Sequence, residues 1–234
     1  MPLTRVIPMI SSLKCRVAFP GRKPAGQRLR TLRYAFSLCV VSYVTLLANC
    51  GLPALAELPQ NDIVQREEFV DVMGDKYRLP GAGESKAVVL LFVGYDCPIS
   101  NSYAAEIVRL CKEFMPKKVE FCVVYADADI SKANASKHAK EYGFCCPAIL
   151  NPSMTLAQKV GATVKPEVAV LSPLGELLYR GRIDNRYVDF GKRREQVTSH
   201  ELRDAVEAII AGNPIATPRT KALGCDIDFS KITK

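Results

Sequence analysis

A chain of 234 residues, about half of them hydrophobic (48%), is long enough for one globular domain with appendages. Its formal charge of +8 is confined to the front: residues 1–56 carry eight Lys and Arg and no acid, which leaves 24 Lys+Arg against 24 Asp+Glu in the rest. A neutral body with no basic stripe interleaved with aromatics excludes nucleic acid as a natural partner.

The front end reads as a targeting segment. A basic stretch precedes the apolar run from Ala35 to Ala48, and Pro53-Ala54-Leu55-Ala56 supplies a small-residue cleavage pattern before Glu57. These are the three regions of a secretory signal, with the functional start at Met9 or later. Three alternatives stay open. The uncharged run Tyr34–Ala56 has the length of an uncleaved membrane anchor. Leu47-Ala48-Asn49-Cys50 is a poor version of a lipoprotein box, and an Arg-rich, acid-poor leader also fits an organellar transit peptide. The division is therefore 1–56 as signal or anchor, 57–214 as the folded domain, and 215–234 as a tail carrying Cys225. The implied location is extracytoplasmic, periplasmic or secreted, with membrane attachment through the apolar segment as the alternative.

Past a polar stretch, the sequence predicts a short strand at Glu68–Val72 and a turn at Gly81–Ser85. Ala87-Val-Val-Leu-Leu-Phe-Val93 is continuous, β-branched and apolar, as expected of a strand buried on both faces of a parallel or mixed sheet. From Pro98 the period becomes helical, with Ala104, Ile107, Val108, Cys111 and Phe114 on one stripe to about Met115. A second buried strand follows at Val119–Tyr125, a polar helix at Ser131–Tyr142, a short strand at Pro147–Leu150 and a short helix at Thr155–Val160. Glu167–Ser172 and Leu177–Arg180 flank Pro173-Leu174-Gly175 as a hairpin. Thr198-Ser199-His200-Glu201 matches a capping box for a last helix, which Gly212 stops. The tail from Ile215 shows no period. Strands alternating with helices, then a strand pair and a helix, indicate an α/β sandwich.

The chemistry centres on Gly94-Tyr95-Asp96-Cys97-Pro98-Ile99-Ser100. A cysteine between a buried strand and the first turn of a helix faces unpaired N–H groups and the positive end of the helix dipole, and both favour the thiolate. Pro98 suits the first helical turn. Ser100 is three residues on, in position to donate its hydroxyl to the sulphur, while Asp96 opposes ionisation.

Strand, turn, Cys-Pro, helix, then Ala162-Thr163-Val164-Lys165-Pro166-Glu167-Val168 entering a strand, resembles the redoxin (alkyl hydroperoxide reductase/thiol-specific antioxidant) branch of the thioredoxin-like superfamily, over roughly Glu68–Gly212. The resemblance implies a thioredoxin-like three-layer α/β/α sandwich with a mixed central sheet and a thiol-based oxidoreductase. Its substrate would be a protein disulfide or a peroxide, an external thiol its reductant, and it would need no cofactor. Pro166 would be the cis-proline facing Cys97, 69 residues on, with the Lys165 backbone pairing an extended substrate. The sequence departs from the pattern at two points. The thioredoxin C-x-x-C is here Cys97-Pro98-Ile99-Ser100, and Gly94 stands where peroxiredoxins carry a threonine.

The remaining cysteines and histidines are read more plainly. Cys111 and Cys122 fall on core positions, and Cys145 and Cys146 adjoin a strand start, read as core packing with redox activity of one of them as the alternative. Cys225 is read three ways: as the thiol that resolves Cys97, as an unpaired or intermolecular thiol, or as half of a structural bond. His138 and His200 are expected at the surface, and two distant histidines do not build a metal site. Arg180 and Arg182 are expected as solvated charges, with a guanidinium supplied to the site as the alternative, within a charged segment 180–187 that either lines the cleft or forms a loop with internal ion pairs. Two other function classes stay in play: a copper-handling chaperone on the same fold, and a non-catalytic interaction domain.

Overall fold

The computed structural model describes residues 67–79, 85–151 and 153–231. The leader, its cysteines and most of the Gly81–Ser85 turn lie outside the described residues. Among the described residues, no helix is long and apolar enough to cross a membrane.

The elements are β1 (Glu67–Val70), β2 (Lys76–Leu79), β3 (Ala87–Val93), α1 (Pro98–Ser102), α2 (Ala104–Phe114), β4 (Val119–Tyr125), α3 (Lys132–Glu141), β5 (Ala148–Leu150), α4 (Thr155–Val160), β6 (Val164–Lys165), β7 (Glu167–Leu171), β8 (Leu177–Gly181), β9 (Tyr187–Asp189), β10 (Lys192–Arg193), α5 (Glu201–Ala211) and β11 (Cys225–Asp226). The central sheet runs β5-β4-β3-β7-β8. β3, β4 and β5 are parallel, and β7 and β8 continue the sheet antiparallel.

β3 sits mid-sheet with all seven residues buried, because alternate side chains feed two separate cores. Val89, Leu91 and Val93 face α2, α3 and α5 through Ile107, Leu110, Phe114, Ala135, Leu202 and Val206. Val88, Leu90 and Phe92 face α4 through Leu156, Ala157 and Val160, with Leu79 of the β1–β2 hairpin and Ile227 of the tail completing that layer. The result is the thioredoxin-like three-layer α/β/α sandwich with a mixed sheet.

Several local expectations need correction. The helix after Cys97 is interrupted at Tyr103, which ends α1 and caps α2, because Tyr103 N–H bonds back to Ser100 O and its side chain is buried (3% exposed). The capping box is not formed. His200 is the cap residue of α5 and its side chain makes no cap bond. Thr198 Oγ1 instead accepts from Asn185 Nδ2 at 2.7 Å, and Ser199 Oγ donates to Glu201. Gly212 does terminate α5, in the left-handed conformation (φ +72°) that glycine adopts without steric cost. The aperiodic tail is ordered into the fold. Thr220 N–H and Pro218 O bond to Arg180 at the edge of β8, and β11 then pairs with β6.

Candidate functional site

Cys97 lies where the buried β3 gives way to α1. Its backbone is extended (φ −83°, ψ 111°), it is the N-cap residue, and Pro98 opens the helix. The carbonyl of Cys97 accepts Asn101 N–H at 2.9 Å. Gly94 is fixed by close approach: a Cβ there would come 2.9 Å from the Cys97 Cβ and 3.5 Å from the Lys165 side chain. In place of the expected donation to sulphur, Ser100 is buried and its Oγ accepts the Gly94 N–H at 3.1 Å, which fixes the turn.

Cys97 is joined by a disulfide to Cys225, 128 residues away, with the two Cα atoms 6.3 Å apart. The connection is made by backbone pairing. β11 runs antiparallel to β6, with Cys225 opposite Lys165 and Asp226 opposite Val164, and Ile227 N–H extends the ladder to Thr163 O at 2.9 Å. The bond from Lys165 to Pro166 is cis. Gly224 packs directly on this junction: a Cβ would overlap the Lys165 carbonyl oxygen and lie 2.5 Å from its carbon. The Cys97 sulphur is 3.2 Å from the same carbonyl oxygen. Lys165, Cys97, Gly224 and Cys225 thus converge on one peptide unit.

Beside the disulfide opens a cavity of about 470 Å³, whose lining includes Tyr95, Asp96, Asp127, Asn134, Lys165, Cys225 and Asp226. Its walls are acidic apart from Lys165. The Lys165 ammonium pairs with Asp127 and donates to Ala126 O at 3.4 Å, so that charge is held at the C-terminal end of β4. Asp127 also accepts Tyr95 N–H at 3.1 Å, which ties the lysine to the loop that carries Cys97. Asp127 escaped the sequence reading, and nothing in its local pattern marks it.

His138 was expected on the surface and is instead buried (3% exposed). Nδ1 lies 2.8 Å from the Tyr125 hydroxyl and Nε2 3.0 Å from Asn101 Oδ1, and the ring packs among Tyr95, Tyr142 and Phe144. Desolvation pushes its pKa below the usual 6.5, partly opposed by Glu141 and Asp127. Neutral His138 therefore buttresses α1 from behind through Asn101, whose Nδ2 also donates to Tyr95 O at 3.3 Å. His200 is half-buried at the start of α5.

The other expectations divide. Arg180 pairs with Glu167 and Arg182 with Glu201, so neither is a simple solvated charge. Within the 180–187 segment, Arg186 pairs with the buried Asp184, which also accepts from Tyr103 OH at 2.8 Å. The segment therefore braces α2 while Arg182, Ile183, Asp184 and Tyr187 border a small cavity at Pro166. Cys111 and Cys122 are buried as expected, whereas Cys145 is exposed and Cys146 only half-buried. Among the described residues, no group of three or more His, Cys, Asp or Glu is arranged to hold a metal ion.

No protein-family model matches the chain, and no curated protein does. Solved structures do. An uncharacterized conserved protein from Geobacillus kaustophilus superposes with a TM-score of 0.61 at 26% identity, over 70% of this chain and 88% of its own. A hypothetical protein from Sinorhizobium meliloti gives 0.62 at 21% identity, over 70% and 90%. A thiol-disulfide oxidoreductase from Bacteroides fragilis aligns more loosely, at 0.44 and 20% identity, over 50% and 87%.

Proposed function

We propose that this chain is a thiol–disulfide oxidoreductase in which Cys97 and Cys225 are the redox couple. The observation that carries the reading is that Cys225 reaches Cys97 on a strand laid along β6, the edge that the resemblance assigns to an extended substrate. The tail behaves as a built-in partner for the site.

In the reducing direction, the Cys97 thiolate attacks one sulphur of a substrate disulfide. That S–S bond breaks, a mixed disulfide forms on Cys97, and the first substrate thiolate leaves. Cys225 then attacks the Cys97 sulphur, the Cys97–Cys225 bond forms, and the second substrate thiol departs. The two electrons come from the protein thiols, and an external thiol reductant restores them. The amides of the first turn of α1 support the charge on Cys97.

A protein disulfide is preferred to a peroxide as the substrate. The position that carries threonine in peroxiredoxins is Gly94, and a Cβ there would press on Cys97 itself. The leader and the long-range disulfide together favour an oxidising, extracytoplasmic compartment.

The test is disulfide reductase activity on a protein substrate, with mixed-disulfide trapping. Cys97→Ser abolishes turnover. Cys225→Ser keeps the first attack and accumulates a substrate adduct on Cys97. Full activity in Cys97→Ser would refute the assignment. Copper retained stoichiometrically through dialysis would favour a metal-handling role instead.

A further inference from the structure

On α2, fourteen residues beyond Cys97, the buried thiol of Cys111 points at a second sulphur. Cys111 Sγ donates to Cys146 Sγ across 3.8 Å. Cys111 is fully buried, Cys146 is half-buried, and its neighbour Cys145 is exposed. Neither sulphur of the close pair is bonded to the Cys97–Cys225 couple.

We propose that Cys111 and Cys146 are a second dithiol–disulfide couple, oxidised by a low-molecular-weight disulfide of the glutathione type. The two thiols have unequal roles. Cys146 is the less buried residue of the pair, and it accepts the hydrogen bond. That donation from Cys111 holds the Cys146 thiol below the usual cysteine value, with help from the Val123 backbone, while the same bond and burial push Cys111 up. Cys146 is therefore the attacking sulphur and Cys111 the resolving one.

The balance is simple. The Cys146 thiolate attacks one sulphur of the small disulfide, whose S–S bond breaks and releases one thiolate. The mixed disulfide on Cys146 is then attacked by Cys111, which gives up its proton to the departing thiolate. One protein disulfide forms, and one small disulfide is reduced to two thiols. Forming the bond brings the sulphurs from 3.8 Å to the ~2.05 Å of a disulfide.

The bond would close a ring around β4 and α3, since both lie between Cys111 and Cys146 in the chain. α3 carries His138, which contacts Asn101 behind Cys97. The second couple would thus staple the layer on which α1 rests.

The experiment equilibrates the reduced full-length chain in glutathione/glutathione disulfide mixtures, quenches with acid, alkylates and maps the peptides by mass spectrometry. It is run on the native sequence and on Cys97→Ser/Cys225→Ser, which separates this couple from the proposed active site. The expected result in both proteins is that Cys111 and Cys146 lose alkylation together and appear in one disulfide-linked peptide pair, while Cys145 stays alkylated. Cys145→Ser leaves that result unchanged. The proposal is overturned if Cys111 and Cys146 remain alkylated in the most oxidising mixture, if Cys146 stops at the glutathione adduct, or if Cys111 links to Cys145.

Discussion

Gly224→Ala tests the placement of the tail most directly. The added methyl would overlap the Lys165 carbonyl oxygen, lie 2.5 Å from its carbon and 2.9 Å from Pro166 N, all backbone atoms of a buried junction. Neither side yields easily: Ile227 is buried one register step along, and Cys225 is bonded to Cys97. Overpacking of this kind costs about 1–3 kcal/mol. The strain exists only while β11 lies on β6, so it falls on the oxidised protein, whereas the reduced tail relieves it by lifting away. For a two-electron couple, ~1.4 kcal/mol corresponds to ~30 mV, so the Cys97–Cys225 potential should rise by about 20–60 mV. Equilibration in glutathione buffers, followed by alkylation and mass spectrometry of Cys225, reads that shift. A potential unchanged to within about 10 mV would mean that the pairing of β11 with β6 does not hold the disulfide.

Three other outcomes follow from neighbouring contacts. Gly94→Thr places a Cβ against Cys97, so disulfide reductase activity should fall steeply with no peroxidase activity gained; a gain in peroxide turnover would reverse the choice of substrate made above. His138→Gln removes the imidazole that partners Tyr125 and Asn101, at an expected cost of about 2–3 kcal/mol in urea denaturation. The native protein should also lose stability as pH falls below about 6.5. The unfolded imidazole binds a proton there and the folded one, with its lowered pKa, resists. The same pH scan on His138→Gln should show a shallower slope, and an equal slope would assign the effect elsewhere.

Much of the fold was legible because its strands advertise themselves. β3 is apolar throughout and β4 is so apart from Glu120, since each is buried on both faces, and both match the residues named from sequence alone. α4 and the end of α5 were equally plain. Pairings that depend on residues far apart were not. β11 is two residues long, and its partner Lys165 lies sixty positions back, so no local period marks it. Gly224 is the one local mark of it, because glycine tolerates close approach. His138 was misread because α3 buries only a narrow face of Ala135, His138 and Ala139, too small to stand out in a polar helix. Cys146 does pack against the core, whereas Cys145 is exposed, because a residue just before a short edge strand need not share its burial.

The two sulphurs of the proposed couple are not equivalent toward an incoming reductant. Cys97 is 2% exposed and its sulphur lies against the Lys165 carbonyl, whereas Cys225 is half-buried and borders the 470 Å³ cavity. An external thiolate entering through that cavity meets Cys225 first. Attack there makes Cys97, the sulphur at the start of α1, the leaving group. The acidic walls of the same cavity repel anionic thiols and favour reductants with a neutral or cationic surround. Under the proposed assignment, access and charge stabilisation fall on different sulphurs, so reduction of the couple would start at the tail and substrate attack at the helix.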